Sequence, residues 1–168
     1  MDQNTIVLIV AVFALLISLG TFYLYNMERK RPKEEISSYN VRPLQLQAYE
    51  RLVMLTERIA IPNLVSRAGQ QELSAKEMQL LLLESIKQEF EYNATQQIYV
   101  SPVAWDAVRN LKEQNMLLIN QVASTLPANS SGLDLNKRLL EHLMTDKRGT
   151  IHTIVLEALN YEAKKIMR

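Results

Sequence analysis

The amino-acid sequence predicts an all-α protein: an N-terminal transmembrane helix, a charged linker, then a small helical-bundle domain. Three observations carry that expectation. Ile6 through Tyr25 contain no charged residue, and a helix of that length rises roughly 30 Å, the thickness of a bilayer's hydrocarbon core. From residue 43 onward, apolar residues recur at three- and four-residue spacings, the period of a helix with one buried face. Only four Gly and five Pro occur in 168 residues, which leaves little room for long irregular segments. The expected layout is a stub over 1–5, a membrane helix over 6–25, a juxtamembrane linker over 26–42 and a helical domain over 43–168.

The opening segment holds thirteen Ile, Val, Leu or Phe residues between Ile6 and Tyr25. At about 0.3–0.6 kcal/mol each, they favour insertion by roughly 4–8 kcal/mol. Ser18, Gly20 and Thr21 are tolerable there, because a helix satisfies its own backbone and hydroxyls bond back to it. Tyr23 and Tyr25 suit the headgroup level. A secretory signal peptide would carry its positive charge before a shorter apolar run. Here Met1-Asp2-Gln3-Asn4 precedes the run, and Arg29, Lys30, Arg31 and Lys33 follow it. That basic flank predicts an N-terminus outside and a cytoplasmic C-terminal domain.

Composition narrows the chemistry. The chain has no Cys, so thiol redox catalysis, a thiolate zinc site and a disulfide scaffold are excluded. From Pro43 on, fourteen Lys and Arg balance fourteen Asp and Glu, without the basic footprint that nucleic-acid binding needs.

Each helix has its own signals. Pro32 and Pro43 disfavour helix in the residue before them, so a continuous rod from membrane to domain is not expected. A first helix starts at Pro43 and carries Leu46, Tyr49, Leu52, Val53 and Ile59 on one face, with Pro62 ending it. Ile61 to Gly69 suits a short helical turn with a left-handed stop at Gly69. Ser74-Ala75-Lys76-Glu77 has capping-box spacing. The helix that follows presents Met78, Leu81, Leu82, Ile86, Phe90 and Ala94, widened by Leu80 and Leu83. Ser101-Pro102 opens the next, with Trp105, Val108, Leu111, Leu118, Ile119, Val122 and Leu126 inward. Pro127 to Gly132 reads as a loop. A helix over Asp134 to Met144 buries Leu135, Leu139, Leu140 and Leu143. Gly149 breaks the chain before a last helix with Ile151, Ile154, Val155, Leu159 and Ile166.

Catalytic signatures are sparse. His142 and His152 are the two histidines, and neither has the carboxylate–histidine spacing of a di-iron bundle or a His-Glu-x-x-His helix. Glu84, Glu89 and Glu91 read as a solvated face held by local ion pairs. A membrane-bound enzyme would need Glu84, Glu89 or His142 to converge in one cleft. No phosphate loop or serine elbow is present. Asn93-Ala94-Thr95 and Asn129-Ser130-Ser131 match the glycosylation pattern, which matters only for an exported domain. The expectation is a protein that is not an enzyme and takes no cofactor or metal.

The densest polar and aromatic stretch runs from Glu89 to Ser101. Tyr92, Asn93, Gln96, Gln97 and Tyr99, with Trp105 after them, are the candidate helix-corner or interface residues. Buried amides there would fix the register of the corner; exposed ones beside the tyrosines would form a contact patch. This stretch, with Gln88-Glu89-Phe90, Asn93, Gln97, Tyr99-Val100-Ser101 and Trp105, resembles a family of uncharacterised single-pass bacterial membrane proteins of Bacteroidetes type. The resemblance implies a bacterial inner-membrane location and supplies no catalytic residue. The resulting expectation is a membrane-anchored interaction or scaffold module that docks a protein partner or its own copies. The alternative is a binding module for a lipid or small apolar ligand, in a pocket lined by Leu81, Phe90, Trp105 and Val122.

Overall fold

The computed structural model describes residues 14, 17–24, 41–69, 72–145 and 149–168. The chain divides into two compact units, 1–40 and 41–168. In the first unit, residues 17–24 are helical. Ile17, Leu19, Phe22, Tyr23 and Leu24 are all more than half exposed, and Thr21 Oγ1 donates back to the carbonyls of Ile17 and Ser18. The rest of the 6–25 segment, apart from Ala14, lies outside the described residues, as do the stub 1–5 and the linker up to residue 40, with Arg29, Lys30, Arg31 and Lys33. Among the described residues no helix is long and apolar enough to cross a membrane.

The described elements of the second unit are helices: α1 (Arg42–Ile59), α2 (Ile61–Ala68), α3 (Ala75–Tyr92), a 3₁₀ turn (Ala94–Ile98), α4 (Pro102–Ser124), α5 (Gly132–Thr145) and α6 (Gly149–Met167). Among the described residues the only extended pairing is an isolated bridge between Ser74 and Ser131. Pro43 sits in the first turn of α1, as its spacing predicts. Pro62, expected to end α1, instead lies in the first turn of α2. The break comes at Ala60, whose ψ of 130° leaves the helical region. A proline needs no amide partner in a first turn, so Pro62 starts a helix more readily than it ends one. Gly69 stops α2 with φ at +68°, in the left-handed region that favours glycine.

Helix starts follow their caps. Ser74 accepts from the Glu77 amide while the Glu77 carboxylate accepts from the Ser74 amide, both halves of a capping box. Ser101 Oγ accepts from the Ala104 amide at 3.0 Å. Ser131 and Asp134 repeat the capping-box arrangement before α5, at 3.2 Å and 2.9 Å. That cap draws the start of α5 back to Gly132, a residue expected in the loop. Gly149 likewise begins α6 instead of breaking the chain ahead of it. The end of α1 is closed by side chains: Asn63 donates to the Glu57 carbonyl and Asn115 to the Ile59 carbonyl, each at 2.8 Å.

Packing follows from these faces. α6 lies most extensively on α1, while α3 lies against both α4 and α5. Tyr49, Leu52, Leu55 and Ile59 of α1 meet Met78, Leu82 and Ile86 of α3, Val108, Leu111 and Ile119 of α4, Leu135 and Leu139 of α5, and Val155 and Leu159 of α6 in one core. Three residues expected to pack inward face outward instead, among them Leu80, which is 55% exposed on α3. Ile154 is 60% exposed and Leu140 36% exposed. Each lies on the flank of a helix whose inward arc is already filled, by Val155 and Leu159 in α6 and by Leu135 and Leu139 in α5.

Thr56 is fully buried, and its hydroxyl has no hydrogen-bond partner among the described residues. A buried polar group without a partner keeps its desolvation cost. Thr56→Val keeps the branched shape and removes that cost, so it should stabilise the protein by about 1 kcal/mol and raise the melting temperature by about 3 °C. Calorimetry of the two proteins side by side checks it, and an unchanged or lowered transition would contradict it.

The starts of α3 and α5 are joined. The Ala75 amide donates to the Ser130 carbonyl at 2.9 Å, and the Gly132 amide to the Leu73 carbonyl at 2.7 Å. A Cβ at Gly132 would stand 3.1 Å from both the Leu73 carbonyl oxygen and Met78 Cβ, so a glycine permits this close approach. Each helix start also carries one acid. The Ser74 hydroxyl, then its amide, holds the Glu77 carboxyl below its ordinary value. The Ser131 amide, then its hydroxyl, does the same for Asp134. A depressed carboxyl contributes stability that is complete above its unfolded value of about 4 and is lost as pH falls through the folded value. Melting temperature should therefore fall as pH drops below about 4, and Glu77→Gln with Asp134→Asn should flatten that acid limb.

Candidate interaction surface

The predicted corner divides into a buried and an exposed part. Asn93 is buried, and its amide donates to the Glu89 carbonyl at 2.8 Å, closing the last turn of α3. Trp105 is also buried, its ring 5.0 Å from that of Phe90. Lys112 Nζ stands 4.5 Å from the Phe90 ring centre, a cation–π contact made across two helices. Gln96 and Tyr99 are half-buried, Gln97 is exposed and Tyr92 is 73% exposed. The Gln96 side-chain amide donates to the hydroxyl of its neighbour Thr95 at 3.3 Å. The corner is thus held by one asparagine and an aromatic pair, Gln97 and Tyr92 face outward, and Gln96 is half-buried.

Tyr92 borders a groove that the sequence does not announce. It is about 520 Å³ and is lined by Arg58, Leu64, Arg67, Leu81, Glu89 and Tyr92 among others. A second depression of about 300 Å³ shares Arg58, Glu89 and Tyr92 and adds Arg51 and Met54. Glu89 lies between two guanidinium groups. Arg58 Nη1 donates to both of its oxygens at 3.2 Å, and Arg67 Nη1 to one of them at 3.3 Å. Arg67 Nη2 also donates to the Arg58 carbonyl at 2.6 Å, capping α1. Both arginines stand in the last turn of their helices, where the dipole favours a cation. The Arg51 guanidinium carbon lies 6.0 Å from the centre of the Tyr92 ring. One carboxylate thus serves two arginines, with a third arginine stacked at the rim.

A second groove, between α2 and α5, measures about 700 Å³ and is lined by Val65, Leu133, Asn136, Leu140 and Met144 among others. It is the place where the outward-facing Leu140 lies. A separate polar ring ties α6 to α1 and to the start of α4. Tyr49 Oη donates to Glu162 Oε2, Ser101 Oγ donates to the same oxygen at 2.6 Å, and the Ser101 amide donates to Tyr49 Oη at 3.1 Å. Burial, reinforced by the Glu162 carboxylate, pushes the Tyr49 hydroxyl above its ordinary value, so it remains a donor at neutral pH.

The residues considered for catalysis are dispersed over different interactions. Glu84 accepts from Gln88, Glu89 is engaged by the two arginines, and His142 borders a separate depression with Gln121 and Thr125. Among the described residues no group of three or more His, Asp or Glu is placed to hold a metal ion. Of the residues suggested for an apolar pocket, Leu81 borders the arginine groove and Val122 the depression beside His142, while Phe90 and Trp105 stack on each other.

Residues 3–166 match a family of unknown function (DUF7935), and the chain belongs to that family. No curated protein and no solved structure matches it.

Proposed function

We propose that this DUF7935 member is a membrane-anchored helical module that works by docking a protein partner, with no catalysis of its own. The observation that carries the reading is the contrast between a filled interior and an open groove. Leu, Ile, Val and Met side chains from every long helix close the core, while Arg51, Arg58, Arg67, Met54 and Tyr92 gather at two adjoining depressions on the surface. Arginine and tyrosine are the residue types that dominate binding energy at interfaces.

The anchor is the apolar segment 6–25, with the basic flank Arg29 to Lys33 holding the helical unit on the cytoplasmic side of a bacterial inner membrane. Supporting it, the described part of that segment carries Ile17, Leu19, Phe22, Tyr23 and Leu24, each more than half exposed. Tethering confines the module to the membrane plane and raises its effective concentration for partners there.

Crosslinking in intact membranes, followed by mass spectrometry of what is captured, tests the docking reading; finding only uncomplexed monomer would defeat it. For the anchor, Leu15→Arg should cost about 3 kcal/mol of insertion and shift part of the protein from the membrane to the soluble fraction. Unchanged membrane retention after two such charges would remove the anchor from the proposal.

A further inference from the structure

We propose that the groove bordered by Arg51, Arg58 and Arg67 receives an acidic segment of the partner protein, whose carboxylates take the guanidinium donors that Glu89 leaves over. This rests on the docking reading above and names the chemistry of what docks.

Charge complementarity argues for the occupant. Three guanidinium groups line the two adjoining depressions against one carboxylate, Glu89. A guanidinium offers five N–H donors and matches a carboxylate in a two-pronged geometry. Arg58 reaches Glu89 through Nη1 alone, so its Nη2 and Nε stay available for a second acid. Arg51 forms no ion pair among the described residues and is held beside the Tyr92 ring. Glu57, at the edge of the neighbouring depression, is already engaged by Asn63 and approached by His152 at 3.6 Å.

Spacing adds to this. Arg51 and Arg58 are seven residues apart on α1, two turns and about 10 Å along one face. A segment in the polyproline II conformation, with three residues per turn and about 3.1 Å of rise per residue, brings side chains i and i+3 onto one face about 9 Å apart, so acids at those positions can meet both arginines. Met54, 55% exposed, and Tyr92 line the depression that Arg51 and Arg58 share, and Leu81 lines the adjoining one. Those side chains give an apolar residue between the two acids a place to lie. A membrane surface fits less well: bilayer phosphates meet a convex basic face, whereas these arginines border a recess that also holds Glu89.

The test uses the full chain in nanodiscs of phosphatidylcholine, with labelled hexaglutamate as probe and hexalysine as control. Fluorescence anisotropy at low and high salt reads the affinity. Arg51→Ala and the pair Arg58→Ala with Arg67→Ala should each weaken hexaglutamate binding about tenfold, while Glu89→Gln should tighten it several-fold. Arg67 also caps α1, so circular dichroism accompanies the double variant; Arg51→Ala touches no cap and keeps the test sound if that variant unfolds. Equal binding of hexaglutamate by wild type and Arg51→Ala, or equal binding of hexalysine, would overturn the proposal. So would loss of binding to phosphatidylglycerol vesicles in these variants with hexaglutamate binding intact, which would assign the arginines to lipid. A crosslinked partner captured at full yield by both arginine variants would remove the groove from the docking reading and leave that reading standing.

Discussion

Trp105→Ala should destabilise the helical unit by about 3–5 kcal/mol, the range for removing a buried aromatic side chain. Trp105 is only 8% exposed and stacks on Phe90, which in turn carries the Lys112 ammonium. Truncation leaves a cavity at the junction of α3 and α4 and strips Phe90 of its neighbour, so the cost exceeds the lost apolar area alone. Urea unfolding followed by circular dichroism reads the difference. Trp105→Phe, which refills part of the space, should recover a substantial share. A transition within about 1 kcal/mol of wild type in the alanine variant would show that the corner is not part of the cooperative core.

Leu159→Ala should cost about 2–5 kcal/mol and weaken α6 before any other helix. Leu159 is fully buried, and α6 rests mainly on α1. Among the described residues, packing, the Tyr49–Ser101–Glu162 ring and the His152–Glu57 approach hold α6 in place. Hydrogen exchange should accelerate across 151–167 well before it does in α3 or α4. Glu162→Ala removes the shared acceptor and should produce the same pattern at smaller cost, about 1–3 kcal/mol. Uniform acceleration over all helices in the Leu159 variant would mean that α6 does not open separately.

Local signals were readable from the sequence and distant ones were not. Ser74 with Glu77, Ser101 with Pro102 and Gly69 each act within a few residues, and each sits where its spacing predicts. The inward faces of α3 and α4 also follow from period alone, Met78, Leu82 and Ile86 in one and Val108, Leu111 and Val122 in the other. The arginine groove depends on α1, α2 and α3 converging, with Arg58, Arg67 and Glu89 on three different helices whose meeting no local rule gives. Glu89 therefore reads as one member of a solvated charged run until two arginines from elsewhere arrive beside it. Tyr49 and Glu162 lie 113 residues apart, and nothing near either announces the other. Leu140 shows the converse error: an apolar residue at helical spacing borders an open groove, because periodicity marks an apolar arc without saying whether protein covers all of it.

The paired amide bonds between the segments before α3 and α5 have a consequence for how the chain tolerates change. They close α3, the 3₁₀ turn, α4 and the following loop into a loop pinned at both ends. Lengthening such a loop costs little, since closure entropy rises only slowly with size; residues added at the exposed tip around Ala128 and Asn129 should be absorbed. A single residue inserted just before Ser74 is another matter, because it shifts one edge of the clasp against the other and uncouples two helix origins together.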